Sequence, residues 1–273
     1  MQSSVGRERI GLIAGNGRFP ILFAQAARNN NFGVLTVAIK GDTHRSLGKL
    51  SDKIYWLDIS DFNRLFYVFK EENISKVVMA GQINPLHLFG SKIKLSPQLK
   101  ELLDNIKDKR ADTIFGAIAD KLKQSGITLE DSRMFLQEFI PKSGVLTKTE
   151  PSINEWEDIR FGYGIAKAIG AVDIGQTVVI KNKIIVAVES IEGTDASIRR
   201  AGHIAGKGCV VVKTAKPKQD MRFDVPLVGL RTLKNLSRIK ASCLALEAEK
   251  SLILDKELFV KMADKMGLKV VVL

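Results

Sequence analysis

Four short apolar runs in the first eighty residues constrain the fold more than any other feature. They read RIGLIAG, VLTVAI, IYWL and KVVMA, and helix-like segments fill two of the three gaps between them. Strands joined through helices cannot close as tight hairpins, so they pair in parallel with helices packed on both faces of the sheet. The first gap begins GNGRFP, a turn whose Pro20 suits the first helical position. The third begins at Asp61, which caps a helix that places Leu65, Phe66 and Phe69 on one face.

Beyond residue 95 the pattern loosens. Residues 96–125 read as two helical pieces closed by Gly126, and Ser132 to Phe139 as a strand. Pro141 to Pro151 (PKSGVLTKTEP) has the composition of a linker. After it come an amphipathic helix from Trp156 to Ile169, and a hairpin, TVVIKNKIIVAVE, of two short β runs around Lys181-Asn182-Lys183. A helix from about Asp195 to Ala205, a strand at 209–213, a helix from Leu233 to Lys240, a helix opened by Asp255 and a buried strand at 268–273 complete the chain. The expectation is an α/β protein of two domains. Residues 1–141 form a Rossmann-like parallel sheet with flanking helices, 142–151 a linker, and 152–273 a mixed α/β domain. A length of 273 residues accommodates both cores.

With 42 basic and 30 acidic residues, the net charge is +12. Such an excess favours an anionic partner, although lysines dispersed from Lys40 to Lys269 also serve simply to solvate exposed faces. No basic run is interleaved with aromatics, so no nucleic-acid partner is expected. Cys209 and Cys243 lie in apolar runs and read as buried thiols of a reducing compartment. His44, His87 and His203 lack the spacing of a zinc site. No apolar run reaches 18 residues, and the apolar stretch near the N-terminus breaks at Gly15. A cytoplasmic location follows as an expectation, with peripheral contact at a membrane surface left open.

Candidate chemistry falls in four places. Gly15-Asn16-Gly17 follows the first strand and opens a helix, where glycines let backbone N–H groups approach an anion or a sugar. The bland alternative is a tight strand-to-helix turn. Pro20 stands where a dinucleotide fingerprint has its third glycine, which argues against a nicotinamide enzyme. Gly81-Gln82 and Asn84 follow the fourth strand and can read a base, hydroxyl or carbonyl, or make a turn alone. Glu189 to Asp195 (ESIEGTD) ends a strand and opens a helix. Its Glu192 and Asp195 are hard oxygen ligands for Mg²⁺ or Mn²⁺, Thr194 and Arg199 are candidates for substrate contact, and the alternative is helix capping. Last, the polar loop KTAKPKQDMRFDVP carries Lys213, Lys216, Lys218, Gln219 and Arg222, which can hold and neutralise a diphosphate. Its Asp224 sits where the chain turns back into the core, and a carboxylate there needs a partner.

These stretches, with GLIAGNGRFP, AGQINP and DIGQTVVI, resemble the UDP-2,3-diacylglucosamine pyrophosphatases of the LpxI class over nearly the whole chain. The resemblance implies Mg²⁺- or Mn²⁺-dependent hydrolysis of UDP-2,3-diacylglucosamine to 2,3-diacylglucosamine 1-phosphate (lipid X) and UMP in lipid A biosynthesis. It further implies water attack on the α-phosphorus, substrate held between two domains joined by a linker, and a homodimer, with peripheral contact at the inner membrane left open. The family's essential aspartate lies in an R-x-D-x-P element, here Arg222, Asp224 and Pro226. Its Gly-Asp-Asp triplet is Arg110-Ala111-Asp112 in this chain, so the first acid of the triplet is absent. The resulting expectation is that Asp224, with Glu192 or Asp195, holds the cation in a metal-assisted water attack. The rival is a non-catalytic nucleotide-sugar-binding regulator.

Overall fold

A computed structural model describes residues 7–83, 100–101, 104–108 and 110–273. The chain divides into two compact units. Unit 1 comprises the N-terminal residues through Leu136 together with Asp220–Asp224, and unit 2 comprises Gln137–Gln219 and Val225–Leu273.

In unit 1, strands β1 (Arg9–Ala14), β2 (Gly33–Ile39), β3 (Lys53–Leu57), β4 (Lys76–Ala80) and β5 (Thr128–Leu129) form one sheet. Their order is β3-β2-β1-β4-β5 and every pairing is parallel. Every residue of β2 is buried, as expected of a sheet covered on both faces. Helices α1 (Phe19–Asn29), α2 (Phe62–Glu71) and α3 (Ala111–Gln124) follow β1, β3 and β4, and a 3-10 helix at Arg45–Lys49 links β2 to β3. Leu65 and Phe69 of α2 and Ile114, Ile118 and Leu122 of α3 pack with Leu35, Val37 and Val77 in one core. The chain winds outward from β1 to β3, then returns to place β4 on the other side of β1. That reversal opens a crevice at the carboxyl ends of β1 and β4, where sheets of this kind place their ligands.

Of two local expectations, one falls outside the described residues and one fails. The first helical piece predicted after residue 95 falls largely outside the described residues. The predicted strand at 132–139 is instead a series of turns followed by a 3-10 turn at Gln137–Phe139. Its backbone is diverted because Asp131 Oδ1 accepts from the Arg133 N–H at 2.8 Å. Phe135 then adopts a left-handed φ of 68° while its ring packs on Phe32, with centroids 4.8 Å apart. Apolar content alone did not reveal the turn-forming aspartate.

Unit 2 is built on a sheet of order β6-β13-β11-β9-β7-β8, from β6 (Gly144–Val145), β7 (Thr177–Lys181), β8 (Ile184–Val188), β9 (Val210–Lys213), β11 (Cys243–Leu246) and β13 (Lys269–Val272). A two-stranded pair, β10 (Leu227–Val228) with β12 (Leu252–Ile253), stands beside it. Strands β9, β11 and β13 are parallel, whereas β7 runs against both β8 and β9. The β7–β8 hairpin turns at Asn182 and Lys183, whose φ values of 52° and 60° are those of a type I′ turn.

One face of this sheet is covered by α4 (Ile153–Ala171), opened by a capping box between Ser152 and Glu155. On the other face, Val179, Val211, Leu244 and Val270 pack with Ile198 of α5 (Thr194–Ala205), Leu233 and Leu236 of α6 (Leu230–Arg238) and Phe259 of α7 (Lys256–Lys265). The segment read as a linker, 142–151, is not free chain. Gly144 and Val145 pair with β13, the Leu146 N–H donates to the Val270 carbonyl at 2.9 Å, and buried Thr147 accepts from the Val270 N–H at 3.0 Å. Its prolines bracket an edge strand, which two residues of pairing are too short to announce in sequence.

Candidate active site

The site begins at the crevice of unit 1. Gly15 ends β1 and Gly81 ends β4, and the two turns hydrogen-bond to each other. The Asn16 N–H donates to the Gln82 carbonyl at 2.6 Å, and the Gln82 N–H returns to the Asn16 carbonyl at 3.1 Å. This bridge explains both glycines. A Cβ on Gly15 would stand 2.5 Å from the Gln82 oxygen, and one on Gly81, whose φ is +89°, 2.5 Å from the Asn16 oxygen. Asn16, Gly17 and Gln82 are exposed at this edge, and α1 opens there without a side-chain cap. The two turns were singled out separately in sequence, and the sheet brings them together. Asn84 lies outside the described residues.

The Arg222–Asp224 element belongs to the same unit. Ser132 ties it there: its hydroxyl lies 2.6 Å from the Arg222 carbonyl and 2.6 Å from the carbonyl of Met79 in β4. The Phe223 ring stacks on Phe115 with centroids 5.6 Å apart and packs against the core. The segment bearing Asp224 therefore lies along the carboxyl end of β4, the strand that leads into Gly81-Gln82. Arg222, predicted at a phosphate, is held by Asp220 through Nε at 3.0 Å and Nη2 at 2.7 Å. The Arg222 guanidinium keeps the Asp220 carboxyl below its ordinary value.

In unit 2 the predicted residues sort by burial. Lys213, at the end of β9, is 4% exposed, and Glu189, after β8, is 7% exposed. Strand β7 separates β8 from β9, and its first residue, Thr177, completes the cluster. Lys213 Nζ donates to Thr194 Oγ1 at 2.8 Å and lies 3.4 Å from Thr177 Oγ1 and 3.9 Å from Glu189. The Thr194 hydroxyl in turn donates a hydrogen bond to Glu189 Oε1 at 2.7 Å. Burial pushes the Glu189 carboxyl up, but the Lys213 charge and hydrogen bonds from Thr177, Thr194 and the Gln176 N–H outweigh it and leave it below its ordinary value. Lys213 is thus a buried counter-ion. Glu189, read in sequence only as the start of the ESIEGTD stretch and given no role, is its partner, and nothing in the spacing shows that two residues 24 positions apart end strands of like direction on either side of β7.

The other cations are also placed. Lys216 pairs with Asp173 at 2.7 Å, and the Lys216 N–H donates to Gln219 Oε1 at 2.7 Å. The root of this loop is clamped by Glu247, which accepts from the Ala215 N–H at 2.8 Å and from Lys167 at 3.0 Å. Lys218 is exposed, and exposed Arg199 reaches the Asn235 side-chain oxygen at 3.4 Å.

The predicted cation ligands do not converge within unit 2. Glu192 turns to Arg200 at 2.7 Å, and the hydrogen bond from that guanidinium leads in lowering its carboxyl pKa. Asp195 pairs with Arg231 through Oδ2 at 2.8 Å, while its Oδ1 is buried without a hydrogen-bond partner. That oxygen is the kind of hard donor Mg²⁺ or Mn²⁺ takes. Asp224 belongs to unit 1. Among the described residues no three His, Cys, Asp or Glu side chains are grouped to share a metal ion. The donor chemistry fits at Asp195, whereas the Glu192 carboxylate is paired with Arg200.

The LpxI N-terminal domain model matches residues 9–139, and the LpxI C-terminal domain model matches residues 142–271. The chain belongs to the LpxI family. An LpxI protein from Caulobacter vibrioides, UDP-2,3-diacylglucosamine pyrophosphatase, is 28% identical over 272 residues, covering 95% of each chain. Among solved structures, UDP-glucose 4-epimerase from Stenotrophomonas maltophila aligns over 45% of this chain and 35% of its own, with TM-score 0.28 and 15% identity. The biotin carboxylase domain of a thermophilic 2-oxoglutarate carboxylase aligns over 73% of this chain and 33% of its own, with TM-score 0.30 and 10% identity. The chain spans about a third of each of these two structures, and such scores carry no argument about an LpxI protein's chemistry. No helix among the described residues is long and apolar enough to cross a membrane.

Proposed function

We propose that the protein hydrolyses the diphosphate of UDP-2,3-diacylglucosamine, releasing 2,3-diacylglucosamine 1-phosphate and UMP for lipid A biosynthesis. The observation that carries this reading is the docking of the R-x-D-x-P element, with Asp224, along the carboxyl end of β4, beside the crevice that opens between β1 and β4. The name of the Caulobacter relative, matched over 95% of both chains, supplies the substrate.

In this proposal Asn16, Gly17 and Gln82 offer backbone and amide groups to the nucleotide or sugar. Exposed Lys218 and Arg199 meet phosphate oxygens. Lys213 and Glu189 brace Thr194 at the opening of α5, so that its neighbour Asp195 keeps a fixed place. Asp224 serves the attack of water on the α-phosphorus. Asp224 in unit 1 and Asp195 in unit 2 are each, taken singly, a hard oxygen donor proposed for Mg²⁺ or Mn²⁺, which when bound would supply Lewis-acid neutralisation of phosphate charge. A homodimer and peripheral contact with the inner membrane from the cytoplasm belong to the same proposal.

The test is phosphorus NMR of purified protein with UDP-2,3-diacylglucosamine and Mg²⁺. Appearance of UMP, and its loss in Asp224→Ala, is the expected result. Turnover by Asp224→Ala at the parent rate removes Asp224 from the reaction. The second reading, a nucleotide-sugar-binding regulator, is favoured by the cation pairing of Glu189 and Glu192, which leaves fewer acids to recruit a metal. It predicts binding without UMP.

A further inference from the structure

Two Asp-X-Arg turns meet in unit 1. In Asp131-Ser132-Arg133, the Asp131 carboxylate accepts from the Arg133 N–H at 2.8 Å, from Nε at 3.0 Å and from Nη2 at 2.7 Å. Asp220-Met221-Arg222 repeats the pattern, with the same three bonds at 3.1, 3.0 and 2.7 Å. Each turn is thereby closed by its own acid and base, and each presents its middle residues to the other.

Ser132 makes the join. Its N–H donates to the Met221 carbonyl at 2.9 Å, and its hydroxyl sits 2.6 Å from both the Arg222 and Met79 carbonyls. One hydroxyl proton serves two carbonyl oxygens, at a residue that is 0% exposed. The Asp220 carbonyl then accepts from the N–H groups of Phe223 at 3.3 Å and Asp224 at 2.9 Å. Asp224 therefore follows rigidly from the turn that Ser132 grips.

We propose that Ser132 is a positioning residue for the hydrolysis. It fixes Asp220–Asp224 against the end of β4 and so sets where the Asp224 carboxylate stands. The proposal rests on the reading of Asp224 given above. Its physical basis is simple. Without the hydroxyl, the buried Met79 carbonyl and the part-buried Arg222 carbonyl lose this donor, and the chain must shift for either to find another. The carbonyl of Met79 is fixed in a sheet, so the segment that shifts is the short turn. Displacing a reacting group by about 1 Å costs roughly 100-fold in rate.

The experiment compares the full-length parent with Ser132→Ala and Ser132→Thr, using UMP release for kcat and KM and backbone hydrogen exchange for the turn. For Ser132→Ala the expected result is a kcat lowered by about 10- to 100-fold with KM within about threefold. Exchange at the amides of Arg222, Phe223 and Asp224 accelerates, while β1 amides keep the parent rate. Ser132→Thr restores the hydroxyl and recovers most of kcat. Parent-like kcat in Ser132→Ala overturns the proposal, as does a change in KM alone or acceleration spread evenly over unit 1. If Ser132→Ala does not fold, Phe223→Leu replaces it, keeping an apolar anchor without the ring stack. The same local acceleration and loss of kcat support the proposal, and parent values overturn it. Should the parent itself release no UMP, the hydrolase reading fails on its own. Exchange in Ser132→Ala then shows whether the grip exists: local acceleration upholds the anchoring, and unchanged or uniform exchange overturns it.

Discussion

Replacing Lys213 with Met tests the physical core of unit 2. The lysine side chain is 5% exposed and that of Glu189 10% exposed, so neither charge can be satisfied by bulk water. Removing one partner of such a pair leaves the other buried and uncompensated, at a cost of about 3–5 kcal/mol. Here the ions are 3.9 Å apart, the outer limit for a pair, and Glu189 keeps the Thr194 hydroxyl at 2.7 Å and the Gln176 N–H at 3.4 Å. The lower end, about 3 kcal/mol, is therefore expected. At about 3 °C per kcal/mol, the melting temperature should fall by about 10 °C. In a double-mutant cycle with Glu189→Gln, measured by urea unfolding, the second substitution should cost far less than in the parent, with a coupling of about 2 kcal/mol. A Lys213→Met cost under about 1 kcal/mol, or additive effects, would show that solvent already screens the pair. The same cycle has a pH signature. The Glu189 carboxyl is held below its ordinary value in the fold. Its contribution is thus complete above the unfolded value of about 4.3 and is lost as pH falls through the lower folded value. The stability gap between parent and Glu189→Gln should close below about pH 4.3.

Three further outcomes follow from the geometry. Gly81→Ala should cost at least about 2 kcal/mol and separate the two glycine turns, because the added methyl meets the Asn16 carbonyl at 2.5 Å on a backbone with φ of +89°; urea unfolding and the Asn16 and Gln82 amide shifts report it. Ser152→Ala should cost about 1 kcal/mol by opening the capping box, in which Glu155 accepts from the Ser152 N–H at 2.8 Å. Burial raises both thiols, that of Cys243 to about 12, so the native protein should resist a thiol reagent and label only as fast as it unfolds. Rapid native labelling of either cysteine would contradict the placement of both in the core.

Much of the frame is legible because local patterns carry it. The alternation from Ile10 to Ala80 defined a parallel sheet, and two short β runs around Lys181-Asn182-Lys183 announced a hairpin. Gly15 and Gly81 were visible as turn glycines at strand ends. Two stretches carry more structure than their sequence patterns show. Residues 132–139 look like a strand until Asp131 and the left-handed Phe135 divert them. Residues 142–151 look like a linker until Gly144 and Val145 find the edge of β13. In the first a local aspartate turn outweighs the apolar pattern, and in the second a strand remote in sequence decides the outcome.

The same division runs through the candidate site. Sequence by itself determined which chemistry is present: glycine turns at strand ends, carboxylates at the opening of α5, a cation-rich loop, and Asp224 in an R-x-D-x-P element. Residue type and spacing suffice for that, since they fix protonation, hydrogen-bonding capacity and local turns. Tertiary structure alone decided which of these groups is spent on another. It buried Lys213 against Glu189, turned Glu192 to Arg200 and Arg222 to Asp220, and left the Asp195 Oδ1 unpaired. It also assigned Asp220–Asp224 to unit 1, gripped by a serine some 90 positions earlier in the chain. Pairing and burial depend on distances between residues far apart in sequence, and only the folded sheets set those distances.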